Sequence, residues 1–224
     1  MLSFDVLGVI HTCEPDNVVI AGFTGRDQKE VRAHMDELEE LGISTPISVP
    51  TFYAVPSDLL TQDGAVVTVH PDTSGEAEVV LVVNGSEVVV TLGSDHTDRA
   101  AEKHDIGLSK GLCSKPISGE AWPLELVAAH LDLLEIRSWI VEGGAEVLYQ
   151  SGRLSDILSL SELLDRVPLE EGSRTFVLFT GTVPVIGRIR GSRFFRAELR
   201  DPTGGRTIAL RYEIAVEDGL SQAR

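Results

Sequence analysis

An Asn84-Gly85 pair joins two runs rich in β-branched residues, Ala77 to Val83 and Glu87 to Leu92, and this constrains the fold more than any other stretch of the chain. Asn-Gly supplies the positive-φ positions of a tight hairpin turn, and the valine-rich flanks pack better on a pleated surface than in a helix. The chain therefore has to build an antiparallel sheet. Ala65 to Val69, Thr175 to Thr180, Phe194 to Leu199 and Thr207 to Ile214 read as further strands set off by glycine-containing turns. Val18 to Ala21 reads as a short strand ending at Gly22, and residues 1–17 as an N-terminal extension or edge strand. Pro46, Pro50 and Pro56 keep the intervening chain extended.

Helical signals are fewer. Asp27-Gln28-Lys29-Glu30 has the arrangement of a capping box, and it predicts a helix to about Leu41 with Val31, His34, Met35, Leu38 and Leu41 on one stripe and Gly42 as its cap. Pro123 suits a first helical turn, and Leu124, Val127, Leu131 and Leu134 predict a helix running on toward Trp139. Another helix is expected to follow Ser159-Leu160-Ser161-Glu162 and to stop at Pro168. Glu102, His104 and Asp105 read as a charged loop, and Lys110 as part of a loop. No repeat or linker divides the chain, so 1–224 is expected to be one domain of the α+β class, mainly β.

Charge narrows the function classes. The 224 residues carry 19 Lys and Arg and a net charge of −16, so no basic stripe is available for nucleic acid or an anionic membrane. The N-terminus lacks a signal-peptide pattern and no apolar run reaches spanning length, which gives a cytoplasmic expectation. Cys13 and Cys113, far apart and without metal-site spacing, read as free thiols. An anionic substrate would need a local cation.

Such a cation has a candidate seat. Glu76 and Glu78 stand two apart at the start of the Ala77 to Val83 strand, where period 2 turns them to one face, and Asp95 follows the next strand. Carboxylates aimed together repel one another unless a hard cation neutralises them, and Mg²⁺, Mn²⁺ and Ca²⁺ prefer such oxygens. The alternative is a solvated acidic patch at a strand start.

The order of the motifs resembles the fumarylacetoacetate hydrolase superfamily from about Val18 to Ile214, as an uncharacterised bacterial branch. Gly75-Glu76-Ala77-Glu78-Val79-Val80 is similar to the family's acidic strand, whose two glutamates bind the metal, and Asp95 matches the third ligand. Ser109-Lys110-Gly111-Leu112-Cys113-Ser114-Lys115-Pro116 is similar to its lysine-containing segment leading to a proline. The helix before Pro168 and Phe179-Thr180-Gly181-Thr182-Val183-Pro184 resemble its late helix and Gly-Thr turn. Val19-Ile20-Ala21-Gly22 followed by His34-Met35-Asp36-Glu37 resembles its glycine-ended strand and His-x-x-Glu lid dyad. Phe52-Tyr53-Ala54-Val55-Pro56 stands where the family carries a lysine after a phenylalanine.

The resemblance implies a mixed β-roll or sandwich with a few short helices, a homodimer, and a metal at Glu76, Glu78 and Asp95, Mg²⁺ or Mn²⁺ with Ca²⁺ also compatible. It implies a hydrolase or lyase acting on a small 2-oxo or diketo acid through a metal-stabilised enolate, with decarboxylation and tautomerisation as neighbouring reactions. His34 and Glu37, three apart on a helix, are then a dyad in which Glu37 orients the imidazole and His34 takes a proton from water; the plainer reading is a histidine packed on the core. Lys110 would act on the substrate carboxylate or the enolate, against an ordinary solvated lysine. Gly181 and Thr182 would hold a carboxylate, against simple turn chemistry, and His96 would be a second partner or an alternative base. A non-catalytic binding or structural protein of the same fold is the competing function.

Overall fold

The computed structural model describes residues 1–40, 45–68, 71–169 and 173–216. In chain order the strands are β1 (Leu2–Val6), β2 (Val9–Cys13), β3 (Asn17–Gly22), β4 (Thr51–Val55), β5 (Leu60–Thr61), β6 (Ala65–Thr68), β7 (Thr73–Ser74), β8 (Ala77–Asn84), β9 (Glu87–Ser94), β10 (Thr97–Asp98), β11 (Lys115–Pro116), β12 (Glu120–Pro123), β13 (Glu135–Glu142), β14 (Ala145–Arg153), β15 (Thr175–Thr182), β16 (Phe194–Asp201) and β17 (Arg206–Val216). The α-helices are α1 (Gln28–Glu40), α2 (Arg99–Glu102), α3 (Ile106–Gly111), α4 (Leu124–Val127) and α5 (Leu160–Arg166). The class is mainly β, as expected.

The Asn84-Gly85 hairpin sits in the middle of an eight-stranded mixed sheet of order β2-β1-β12-β9-β8-β15-β3-β4. The two turn residues are Gly85 and Ser86: Asn84 ends β8 paired with Glu87, and of the Asn-Gly pair only Gly85 takes a positive φ, +61°. β8 is buried on both faces along most of its length, which explains its unbroken run of valines. Val79, Leu81 and Val83 face one hydrophobic cluster, and Val80 and Val82 face the other. The second cluster also gathers Phe4 from β1 and Val18, Ile20 and Val55 from β3 and β4, strands near opposite ends of the order. Side chains from both ends meet only if the sheet curls into a roll. β11 pairs with β5, and Ile117, the residue after β11, enters the same cluster.

The other face of β8 and β9 packs on a second sheet of order β14-β13-β16-β17-β6. Ile136, Ile140, Phe195, Ala197, Leu199, Ile208 and Tyr212 alternate inward from that sheet and fill the layer between the two. The expected β-roll and sandwich are thus both present.

Two expectations are corrected. The helix running toward Trp139 stops after one α-helical turn and a 3₁₀ segment, Ala128–Leu133, and Trp139 lies in β13. The buried alternation of Ile136, Ser138 and Ile140 outweighs the helical spacing of the leucines upstream. Of the expected charged loop, His104 and Asp105 do lie in the connection between two helices, but Glu102 ends α2: Asp98 caps α2 by accepting from the Ala101 N–H, and Asp105 caps α3 by accepting from the Leu108 N–H. Within residues 1–17, β1 and β2 form a hairpin with β2 at the sheet edge, and Asn17 already opens β3. Asp27 caps α1 and Ser159 caps α5 as the sequence predicts. Val69, Leu41 and Gly42 lie outside the described residues. Among those described, no helix is long and apolar enough to cross a membrane.

Candidate functional site

At the open end of the central hairpin, opposite its turn, Glu76, Glu78 and Asp95 come together. β8 and β9 pair so that Ala77 faces Ser94 and Glu78 faces Gly93. Beyond the last pair the Asp95 N–H donates to the Glu76 carbonyl at 3.0 Å, and the Glu76 N–H donates to the Ser94 hydroxyl at 3.2 Å. Each acid thereby offers one oxygen to a group whose members all lie within 4.8 Å of one another.

Three cations answer two of these acids. Asp95 is fully buried and holds two ammonium groups, Lys110 on Oδ2 and Lys115 at 2.9 Å from Oδ1. Burial acts to raise the Asp95 carboxyl, but the two lysines outweigh it and hold the group below the usual carboxylate range. Lys115 is itself enclosed and donates to the His96 carbonyl at 2.6 Å. Glu76 meets Arg99 at 2.8 Å; that guanidinium also grips Glu102 through two bonds and the Ser74 hydroxyl at 2.7 Å, which β7 brings alongside by pairing with β10.

Glu78 is treated differently. It is 2% exposed, and the bond to its carboxylate comes from the Gly181 N–H at 2.9 Å. Burial, and after it the neighbouring Asp95, push its carboxyl well above the usual range despite Lys110. A β-bulge aims that N–H. Phe179 pairs with Val80 while Thr182 pairs with Glu78, so β15 spends one extra residue over the interval. Gly181 takes φ +95°, and a Cβ there would strike the Thr24 hydroxyl.

The second sheet braces the site through Tyr212. Its buried hydroxyl bonds the Ser94 hydroxyl at 2.9 Å and His96 Nδ1 at 3.0 Å, and it lies against Gly75, where a side chain would collide with it. Burial, with Lys115 and Arg99 close by, brings His96 down to about 3, so the imidazole is neutral near pH 7.

The residues expected from the sequence fall into different places. Glu76, Glu78, Asp95 and Lys110 converge. Lys110 is neither solvated nor in a loop: it is 7% exposed, on α3, with its ammonium 5.7 Å from the Tyr53 ring centre. Gly181 reaches the cluster through its backbone. The Thr182 hydroxyl is committed to the fold, donating to the Ala77 carbonyl at 2.8 Å and accepting from Gln150 at 2.7 Å. His96 turns its ring to Tyr212. Glu37 lies on the exposed side of α1, and the side chain of His34, on the same helix, is outside the described ones. Sequence reasoning overlooked Lys115 and Tyr212. Lys115 sits in the quoted lysine segment, but nothing local distinguishes it from Lys110.

The arrangement fits a divalent cation. The donor set is all carboxylate oxygen, which suits Mg²⁺, Mn²⁺ or Ca²⁺. Glu78 is the telling member, because it has no ion pair among the described residues, and a buried carboxylate in that state is costly unless a positive charge joins it or it takes up a proton.

Comparison with known proteins places the fold. A family model described as "Protein of unknown function (DUF2848)" matches residues 21–212. No curated protein matches by sequence. Among solved structures, a candidate fumarylpyruvate hydrolase from Burkholderia cenocepacia is 18% identical, with TM-score 0.64 over 96% of this chain and 95% of that one. A yeast protein of the fumarylacetoacetate hydrolase family is 17% identical, with TM-score 0.59 over 90% and 94%. A 2-keto-3-deoxy-D-arabinonate dehydratase complexed with magnesium and 2,5-dioxopentanoate is 15% identical, with TM-score 0.65 over 90% and 73%. The fold is that of the fumarylacetoacetate hydrolases.

Proposed function

We propose that this chain, which belongs to the family described as a protein of unknown function (DUF2848), is a divalent-cation-dependent enzyme acting on a small 2-oxo or diketo acid by hydrolysis of a carbon–carbon bond. The observation that carries the reading is Glu78, buried, bonded by the Gly181 backbone N–H and grouped with Glu76 and Asp95. The dehydratase of like fold that binds magnesium and a dioxo acid supports it.

A cation held by Glu76, Glu78 and Asp95 would supply Lewis acidity, drawing electron density from the substrate's carbonyl. The protein's own groups do the rest. The Gly181 N–H fixes the Glu78 carboxylate in one orientation, and Arg99 does the same for Glu76. Lys110 brings positive charge to a −16 chain at the place where an anionic substrate must arrive. His34, oriented by Glu37, takes a proton from water; the hydroxide adds to the distal carbonyl, the bond to the neighbouring carbon breaks, and that carbon keeps the electron pair and is then protonated. The products are a carboxylic acid and a shorter oxo acid. Decarboxylation and tautomerisation pass through the same gain of electrons at carbon, and a substrate panel separates the three.

The test is thermal unfolding with Mn²⁺ and with Mn²⁺ plus oxalate, for the wild type and Glu78→Gln, followed by turnover of acylpyruvates and oxaloacetate. Stabilisation of the wild type alone, additive with oxalate, together with turnover, is the expected result. Stabilisation without turnover of any oxo acid would favour the non-catalytic binding protein. No response to Mn²⁺ would remove the metal site. A homodimer is proposed as the working form, and light scattering on the purified protein checks it.

A further inference from the structure

Asp95 is asked to serve two masters. Both of its oxygens already hold ammonium groups, Lys110 on one and Lys115 on the other, yet it is also one of the three acids whose oxygens converge. A divalent cation joining that carboxylate would meet both ammonium groups, and like charges a few ångströms apart repel strongly in a site so poorly solvated. Moving one ammonium away relieves that repulsion.

The two lysines are not equally free to do so. Lys115 has no exposed surface and is tied down a second time by the His96 carbonyl at 2.6 Å. Lys110 reaches Asp95 from α3, a helix of six residues; its side chain keeps 9% of its surface exposed, and its ammonium has no hydrogen bond besides the one to Asp95 among the described residues. The face of the Tyr53 ring, 5.7 Å from the ammonium, attracts a cation without fixing its direction, and the charges of Glu76 and Glu78 also act on it. The side chain has flexible methylenes and somewhere to go. Glu76, the least buried of the three acids at 15%, opens the cluster toward solvent.

We propose that the Lys110 ammonium is a displaceable stand-in for the divalent cation: it neutralises Asp95 in the metal-free protein, yields that oxygen when the cation binds, and then holds the carboxylate of the oxo acid ligand. The proposal rests on the metal-dependent reading given above and adds an order to it, the cation first and the acid second. An oxo acid arriving before the cation meets a lysine already paired with Asp95. Once the cation has taken Lys110's place, the lysine charge is free for an anion.

Two measurements test this, and neither reads turnover. The first is calorimetric titration of Mn²⁺, then of oxalate into the Mn²⁺-loaded protein, for the wild type, Lys110→Met and Glu78→Gln. Removing a competitor raises apparent affinity by the reciprocal of the fraction of sites it left free, so Lys110→Met is expected to bind Mn²⁺ on the order of tenfold more tightly and oxalate on the order of tenfold more weakly. The second uses only the wild type: reductive methylation of lysines, with and without Mg²⁺, read by peptide mass spectrometry. Methylation of Lys110 is expected to rise several-fold with Mg²⁺ while Lys115 stays protected in both states. If Lys110→Met does not fold, the methylation result decides. Unchanged or weaker Mn²⁺ binding by Lys110→Met, or Lys110 methylation that does not rise with Mg²⁺, overturns the displacement; if Glu78→Gln still abolishes Mn²⁺ binding, the metal site survives that failure. No Mn²⁺ binding by the wild type overturns both.

Discussion

The backbone N–H of Gly181 donates to Glu78 Oε2 at 2.9 Å from a β-bulge, so one residue of irregular strand orients one of the two buried carboxylates in the cluster. Regular pairing of β15 with β8 would aim that N–H elsewhere. The bulge needs φ +95° and leaves no room for a Cβ beside Thr24.

Gly181→Ala therefore combines a strained backbone with a collision. The expected loss is about 2–4 kcal/mol of stability, from a left-handed conformation imposed on alanine plus displacement of packed atoms. Urea unfolding measures it. Mn²⁺ affinity should fall by a larger factor in this variant than in a core variant of equal stability loss such as Leu163→Ala, because Glu78 loses its anchor.

Tyr212→Phe removes one hydroxyl that serves both Ser94 and His96. Leaving two buried polar groups short of a partner costs about 1–3 kcal/mol. Ser94 in turn accepts the Glu76 N–H, so the site as well as the sheet is loosened. The expected outcome is a lower unfolding midpoint with a weaker stabilising effect of Mn²⁺, both read in one set of thermal scans.

Much of this was legible in the sequence, because the signals were local. The Asn84-Gly85 hairpin, the Asp27 and Ser159 caps and the two-residue spacing of Glu76 and Glu78 each rest on a few adjacent residues. Around Trp139 the local signals conflict: Leu124, Val127, Leu131 and Leu134 fit a helix while Ile136, Ser138 and Ile140 fit a strand, and packing on the other sheet decides between them. The bulge at Gly181 is set by register with β8, and the partnership of Lys115 with Asp95 spans the hairpin end and the segment after α3. Neither has a local signature.

Away from the site, Asp201 gives the fold a pH dependence. The carboxylate is buried and accepts from the Thr203 N–H at 2.9 Å and the Gly204 N–H at 2.8 Å, with His130 at 3.0 Å and Arg206 at 3.1 Å. Burial acts to raise its carboxyl, yet the Gly204 N–H and His130, among the other donors, outweigh it and hold the group below its ordinary value. A carboxyl depressed in the folded state stabilises the fold above its unfolded pKa, about 3.9, and that contribution disappears as pH falls through the lower folded value. Asp201→Asn should thus lie furthest below the wild type near pH 7, and the two should converge below pH ~4. Unfolding midpoints across that range check the sign.

Cys113 is buried, and burial pushes its thiol up to about 11 against the opposing pull of Lys115. Thiolate is the reactive form, so at pH 8 the native protein should release colour from a disulfide reagent slowly at this site. Half-buried Cys13 should react ahead of it, and both should react at once in denaturant. Cys113→Ser distinguishes the two phases.

Lys115 offers the sharpest contrast with Lys110, since both touch Asp95 and only one is enclosed. Lys115→Met strips a charge partner from a carboxylate with no exposure and leaves the His96 carbonyl without its donor. Breaking one side of a buried ion pair costs about 3–5 kcal/mol, because the remaining charge stays desolvated. Lys110→Met leaves Lys115 on Asp95 and a route to solvent, so its cost should be the smaller of the two. Urea midpoints of the two variants, measured without metal, test that ranking: a Lys110→Met loss equal to that of Lys115→Met would mean that both lysines are fixtures of the fold.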